Sequence, residues 1–373
     1  MSSENSPPIK IVKAREAYDA LQNDTSVLEP LVASSPTVLR DVTEKKHTIR
    51  VLITGATGLL GRALMKEFDE YNTVGVGFTR VSEAMLKEET TAKKGRRRYV
   101  RCDLTDEKSV DGLLNGFAPH IIVHAAAERR PDVCSKRPDQ ASAVNVQATQ
   151  SLCRWASKAD DCFLLLISTD YVFDGDHPPY KPSSKPNPVN FYGRSKLDSE
   201  KALWKSGHSG GVLRVPVLYG RTKNLDESAV TTLASGVLKA FSSGHEMRVD
   251  NWAIRFPTFV DDVAVVCRQL SERRLRHCAL SGTWHWSGAD QTTKYKMSLM
   301  MAQYLIDAKY VDKPTQSLSE LIVPINQPPQ DGVKRPQNAQ LDINVVYLMG
   351  MGCQTSFSQG IQIVLDHYFQ SKK

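Results

Sequence analysis

The chain has 373 residues, 41% of them apolar and 24% charged, with a net charge of +7, a composition typical of globular proteins with a substantial core. No uninterrupted apolar run approaches the ~20 residues of a membrane helix, and the opening MSSENSPPIK lacks the basic-then-apolar layout of a secretory signal. Seven scattered cysteines without a C-x-x-C pair read as reduced thiols of the cytosol or nucleus, mostly core filler.

Residues 1 to about 47 are polar, and apart from an amphipathic piece at Ala14 to Leu21 they read as a loosely ordered extension. The stretch RVLITGATGLLG, Arg50 to Gly61, follows. Val51, Leu52 and Ile53 run into Gly55, Gly58 and Gly61, which reads as a buried strand, a tight turn and the opening of a helix. In such a turn the first glycine permits a backbone conformation that a Cβ forbids. The second lets a pyrophosphate approach the main chain, and the third lets helix and strand pack closely. The free N–H groups at the helix start then hold the phosphates.

Leu60, Leu64 and Phe68 form one buried stripe on the first helix. A second strand is expected at Thr73–Phe78 and a third at Arg98–Cys102, with a long basic loop between them. That loop carries the run Lys93-Lys94-Gly95-Arg96-Arg97-Arg98, which reads as a solvated loop and not as a nucleic-acid site, since no aromatic residue interrupts it. A helix over Asp106 to Phe117 presents Val110, Leu113, Leu114 and Phe117, with Thr105 as its expected cap. The fourth strand is Ile121–His124, followed by a long helix over about Asp139 to Lys158. The fifth strand is Phe163–Ile167, then a helix near Phe191–Lys205, then a sixth strand, Val212–Leu218.

This alternation predicts an α/β fold, a Rossmann-type doubly wound parallel sheet. Beyond Gly220 it breaks down into a helix (Ser228–Phe241), a strand (Thr283–Trp286) and a helix (Thr293–Ile306) among Pro-rich connections. The expected domains are therefore a Rossmann domain over 48–220 and a smaller C-terminal α/β lobe over 221–373, some of whose segments return to the main sheet.

The end of the second strand, Gly77-Phe78-Thr79-Arg80, carries no acid to accept from a ribose 2′-hydroxyl. Arg80 suits a 2′-phosphate instead, pointing to NADP over NAD; the alternative is a solvated loop arginine. Asp103 and Leu104 are placed to meet the adenine ring, and Ala125, Ala126 and Ala127 are small where a cofactor lies close.

Tyr192 and Lys196, in Y-G-R-S-K, share one face of a predicted helix. A nearby ammonium favours the phenolate and is expected to bring the phenol toward working range. With Ser168-Thr169 at the end of the fifth strand, the set reads as a proton-transfer site. Thr169 bonds a carbonyl oxygen, Tyr192 donates the proton, Lys196 also holds the nicotinamide ribose, and hydride comes from the cofactor. No histidine or cysteine spacing suggests a metal. Asp170 and Asp174 read as turn and capping residues, and Asp261-Asp262 as a helix start. Glu128-Arg129-Arg130 is either a surface cluster or a contact for cofactor or anion.

T-G-A-T-G-L-L-G, S-T-D-Y-V-F-D-G and Y-G-R-S-K together resemble an extended short-chain dehydrogenase/reductase, in the group of the dTDP-4-dehydrorhamnose reductases. More narrowly, AAAERRPDV, YGRSKLDSEKA, RFPTFVDDVA, GTWHWSG and RPQNAQLD resemble the regulatory beta subunits of methionine adenosyltransferase. The resemblance implies an NADP-binding subunit that attaches to a catalytic subunit and tunes S-adenosylmethionine synthesis. It implies cofactor contacts at Thr57, Gly58, Leu59, Leu60, Phe78, Thr79, Arg80, Asp103, Leu104, Ala125, Arg129, Tyr192 and Leu218. Gly55, Gly61, Ala126 and Lys196 join these from the motif reading. The second function in view is an NADPH-dependent reductase of a keto-sugar nucleotide using Thr169, Tyr192 and Lys196. Two features depart from the beta-subunit pattern: a longer basic insertion at about Val81–Arg98, and a C-terminus, VLDHYFQSKK, unlike the tail that members insert into the catalytic partner.

Overall fold

A computed structural model describes residues 46–88, 98–159, 162–208, 210–277 and 280–372. The N-terminal extension up to residue 45, with its amphipathic piece, and the basic run up to Arg97 lie outside the described residues. Arg98, at the end of that run, pairs with Asp69 at 2.5 Å and with Glu88 at 3.4 Å.

Seven parallel strands form the main sheet. Six alternate with helices along the first part of the chain: β1 (Arg50–Thr54), β2 (Asn72–Gly77), β3 (Tyr99–Arg101), β4 (Ile121–His124), β5 (Phe163–Thr169) and β6 (Gly211–Val215). β7 (Leu218–Tyr219), β8 (Met247–Asp250) and β9 (Thr258–Phe259) lie outside it, whereas β10 (Gly282–His285) returns to pair with β6. The order is β10-β6-β5-β4-β1-β2-β3, the doubly wound arrangement expected from the alternation. Val51 of β1 faces Ile121 on one side and Thr73 on the other, so the strand order reverses beside β1. Ligands of such sheets bind in that crevice, at the carboxyl ends of the strands.

The strands are apolar because both faces are covered. Val51 and Ile53 point to one layer, with Leu64, Phe68 and Val263, while Leu52 points to the other, with Val110, Leu114 and Leu152. Two helices make much of the first layer, α1 (Leu59–Glu67) and, from far along the chain, a helix over Val260–Arg276. A further core gathers Leu233, Val237, Met301, Leu305, Val364 and Leu365. The last two come from the C-terminal helix Phe357–Gln370, and Tyr368 and Phe369 pack against the same core, so the start of the divergent terminus contributes to it.

Several boundaries differ from expectation for local reasons. The helix cap at Glu107 is Asp106, whose carboxylate accepts from the Lys108 N–H at 3.2 Å; Thr105 instead bonds Asp103. β6 stops at Val215 because Pro216 has no N–H to donate to a ladder; Leu218–Tyr219 pairs with β9 instead. The long helix expected over Asp139 to Lys158 is broken. Pro138 starts a short helix to Ser142, a π turn spans Ala143–Gln147, and the α-helix resumes over Ala148–Ala156. Pro179 follows Pro178 through a cis peptide bond.

Candidate functional site

At the carboxyl ends of β1, β2, β4 and β5 lies a cleft of about 680 Å³. The glycine turn forms its floor. Gly55 adopts φ +69°, and a Cβ there would stand 2.8 Å from the Ala126 nitrogen; one on Gly61 would stand 2.1 Å from the Gly55 oxygen. The first position thus needs glycine for conformation and for the close passage of the β4 connection, the third for helix-to-turn packing. The turn leads into α1, whose first amides are free to meet an anion.

A buried histidine holds the Ala125–Ala127 connection against this floor. His124 Nδ1 lies 2.7 Å from the Thr54 hydroxyl, and its Nε2 lies 3.0 Å from that of Thr149, which donates to the Asn145 carbonyl. Thr149 therefore accepts from Nε2–H, leaving Nδ1 to accept from Thr54. Burial holds the imidazole neutral, its pKa pulled down to about 3. The Thr54 oxygen also accepts from the Ala126 N–H at 3.2 Å.

Every residue singled out for cofactor or proton transfer lines this one cleft: Gly55, Thr57, Gly58, Leu59, Leu60, Gly61, Phe78, Thr79, Arg80, Asp103, Leu104, Ala125, Ala126, Arg129, Thr169, Tyr192, Lys196 and Leu218. Phe78 is half exposed at the end of β2, an apolar face open to a planar ring. Asp103 commits one carboxylate oxygen to the Thr105 N–H and hydroxyl, at 2.9 and 2.7 Å. Of the charged trio after β4, Glu128 and Arg130 pair with each other at 2.8 Å, while Arg129 reaches across to the Glu227 main-chain oxygen.

Tyr192 and Lys196 sit on the helix Phe191–Lys205, capped by the Asn190 side chain accepting from Gly193 N–H at 2.9 Å. The expected lowering of the phenol by Lys196 does not prevail. Burial raises the Tyr192 pKa above its usual value, the Thr169 hydroxyl pulling it partly back. Lys196 is only 3% exposed, and burial depresses its pKa to about 8 while Glu200 opposes that shift. Glu200 in turn forms a two-pronged pair with Arg214, at 3.0 and 2.6 Å, and accepts from Ser168.

Asp170 opens the short turn Asp170–Val172, in keeping with its sequence reading as a turn residue, and the structure adds its burial. It is buried in the cleft wall, and its carboxyl is raised by burial to about 7 against the pull of Arg255. Asp174 also acts as a turn residue, accepting from Tyr180, Asn187 and the Asp176 N–H. Asp261 and Asp262 open the helix Val260–Arg276, and Asp262 also accepts from Thr355 N–H at 2.7 Å.

Sequence reasoning missed six contributors: Asn145, Glu200, Glu227, Arg255, Lys294 and Arg335. Asn145, in the π turn, accepts from the Glu128 N–H at 2.8 Å and donates to the Ser195 hydroxyl at 2.9 Å. Glu227 enters the cleft from a segment with no motif, and Arg255 and Lys294 line its far end beside Arg335. Only Glu200, four residues beyond Lys196, had a signal in its spacing. Among the described residues no group of three or more His, Cys, Asp or Glu side chains is close enough to hold a metal ion, and no helix is long and apolar enough to cross a membrane.

Residues 49–370 match the family model described as the RmlD substrate binding domain. The chain is 45% identical over 315 residues to the methionine adenosyltransferase 2 subunit beta of Mus musculus, covering 84% of this chain and 86% of that protein. It is 44% identical over the same shares to that of Rattus norvegicus. Among solved structures, the dTDP-4-dehydrorhamnose reductase of Bacillus anthracis in complex with NADP aligns with a TM-score of 0.66 at 24% identity, covering 86% of this chain and 99% of that one. The last is a likeness of fold. With a family model over most of its length and relatives this similar, the chain belongs to the methionine adenosyltransferase beta-subunit family, within the RmlD substrate-binding group.

Proposed function

We propose that the chain is an NADP-binding regulatory subunit of methionine adenosyltransferase, modulating S-adenosylmethionine synthesis by a catalytic subunit in the cytoplasm. The observation that carries this reading is the 45% identity to a named beta subunit over 315 residues, 84% of this chain; the expected division is a Rossmann domain over 48–220 and a smaller lobe over 221–373. NADP, not NAD, is supported by Arg80 at the cleft edge with no acid at the end of β2. The glycine-turn amides hold the diphosphate, Phe78 and Leu104 flank the adenine, and Tyr192 and Lys196 reach the nicotinamide ribose.

The test is reconstitution. Mixing the full chain with a methionine adenosyltransferase catalytic subunit should give a co-eluting complex with altered kinetics of S-adenosylmethionine formation. A catalytic subunit that elutes alone with unchanged kinetics refutes the proposal.

One observation favours a second reading, an active reductase of a keto-sugar nucleotide. Thr169, Tyr192 and Lys196 line the same cleft as the glycine turn, and its far end carries Arg255, Lys294 and Arg335, cations suited to a diphosphate. Tyr192 would donate the proton to a carbonyl oxygen held by Thr169, and the cofactor, when bound, supplies hydride. NADPH oxidation with a dTDP-4-keto-6-deoxy sugar, abolished in Tyr192→Phe, would establish this reading.

A further inference from the structure

Three guanidinium groups from the glycine-turn side of the cleft converge on one acidic residue of the opposite wall. Glu227 closes the short turn Leu225–Glu227. Its carboxylate accepts twice from Arg62, at 2.8 and 2.7 Å, and from the Thr222 hydroxyl at 2.8 Å. Its main-chain oxygen accepts from Arg129. Arg80 approaches last, Nη1 standing 3.7 Å from Oε1.

The two carboxylate contacts differ in kind. Arg62 makes a close fork, whereas Arg80 is 60% exposed and beyond hydrogen-bond distance, against 14% exposure for Glu227. Arg80 also leans over the glycine turn, its Nη2 lying 3.6 Å from where a Cβ on Gly58 would stand. The same guanidinium is thus shared between Glu227 and the space above the phosphate-binding turn.

We propose that Glu227 is a specificity-determining residue that competes with the 2′-phosphate of NADP for Arg80. NADP binding draws Arg80 off the carboxylate, whereas NAD, lacking that phosphate, leaves the pair in place. The phosphate prevails because it brings about two charges and several acceptor oxygens against a weak, exposed ion pair. The competition still lowers NADP affinity, while Arg62, Thr222 and Arg129 keep their hold on Glu227. This inference rests on the NADP reading of the cleft.

The test is calorimetric titration of NADP and NAD into the full chain, its Glu227→Gln and Arg80→Ala variants, and the double variant. Glu227→Gln should bind NADP roughly threefold to fivefold more tightly, as expected from relief of an exposed ion pair, with NAD affinity changed less than twofold. The gain should vanish in the Arg80→Ala background. Unchanged or weakened NADP binding by a Glu227→Gln chain that melts and binds NAD normally overturns the proposal, as does a gain that survives without Arg80. Glu227→Asp, whose shorter side chain draws the carboxylate away from Arg80, covers the case of a Glu227→Gln chain that does not fold. It should also gain NADP affinity, a gain lost without Arg80, and unchanged or weakened NADP binding by a folded Glu227→Asp chain overturns the proposal. If the unaltered chain binds NAD as tightly as NADP, or binds neither, the NADP reading falls and this proposal with it; a preserved NADP preference with no effect of Glu227→Gln removes this proposal alone.

Discussion

The Asn145 side-chain nitrogen lies 2.9 Å from the Ser195 hydroxyl, one residue before Lys196 on the helix that carries Tyr192. The π turn makes this possible. It brings the Asn145 amide against the chain after β4, where it bonds both the N–H and the C=O of Glu128, at 2.8 and 3.1 Å. It also leaves the Asn145 carbonyl to accept from the Thr149 and Ser199 hydroxyls, at 2.7 and 2.6 Å. One fully buried amide thus couples three elements that wall the cleft.

Asn145→Leu removes those side-chain bonds and strands buried partners at Glu128 and Ser195. Each such group costs ~1–3 kcal/mol, so a loss of ~2–4 kcal/mol is expected. Urea denaturation measures it; a loss within ~0.5 kcal/mol would mean the network is dispensable.

Arg80→Ala should weaken NADP binding by ~1–3 kcal/mol, the scale of a charge-assisted hydrogen bond, and leave NAD little changed. Equal losses for both dinucleotides would show that Arg80 does not read the 2′-phosphate.

The buried pair Glu200–Arg214 predicts a strong asymmetry. Arg214→Met leaves the Glu200 carboxylate without its countercharge, at a cost of ~3–5 kcal/mol. Replacing both residues, as Glu200→Gln with Arg214→Met, should recover part of that loss. Thermal unfolding of the two variants decides it, and a double variant no more stable than the single contradicts the expectation.

Asp170 gives a pH dependence. Burial raises its folded pKa from the ordinary 3.8 to about 7, so the folded chain binds the extra proton between those limits. Its contribution to stability is full below about pH 4 and is lost as pH rises through 7. Asp170→Asn should therefore stabilise the chain relative to the original at pH 8 and lose that advantage at pH 4. Melting curves at the two values test the sign; a variant equally shifted at both would contradict it.

Much of this was legible in the sequence because the relevant signals are local. A strand buried on both faces must be apolar throughout, so β1, β4 and β5 stood out, and the glycine spacing fixed the turn between β1 and α1. Tyr192 and Lys196 were legible because four residues span one helical turn. What escaped depends on distant partners. The π turn at Ala143–Gln147 exists because Asn145 is drawn to Glu128 and Ser195, and nothing in AVNVQ announces that. Glu227 likewise meets Arg62 only after the later part of the chain folds back, 165 residues on. The Tyr192 pKa is not legible from spacing, which reports a neighbouring charge but not the burial that outweighs it.

The most direct test of the central claim is a crystal structure of the full chain grown with NADP. The diphosphate should rest on the amides of the turn from Gly55 to Gly61, with the 2′-phosphate against Arg80 and the nicotinamide ribose at Tyr192 and Lys196. A dinucleotide bound elsewhere, or a glycine turn filled by a protein side chain at saturating NADP, would contradict it.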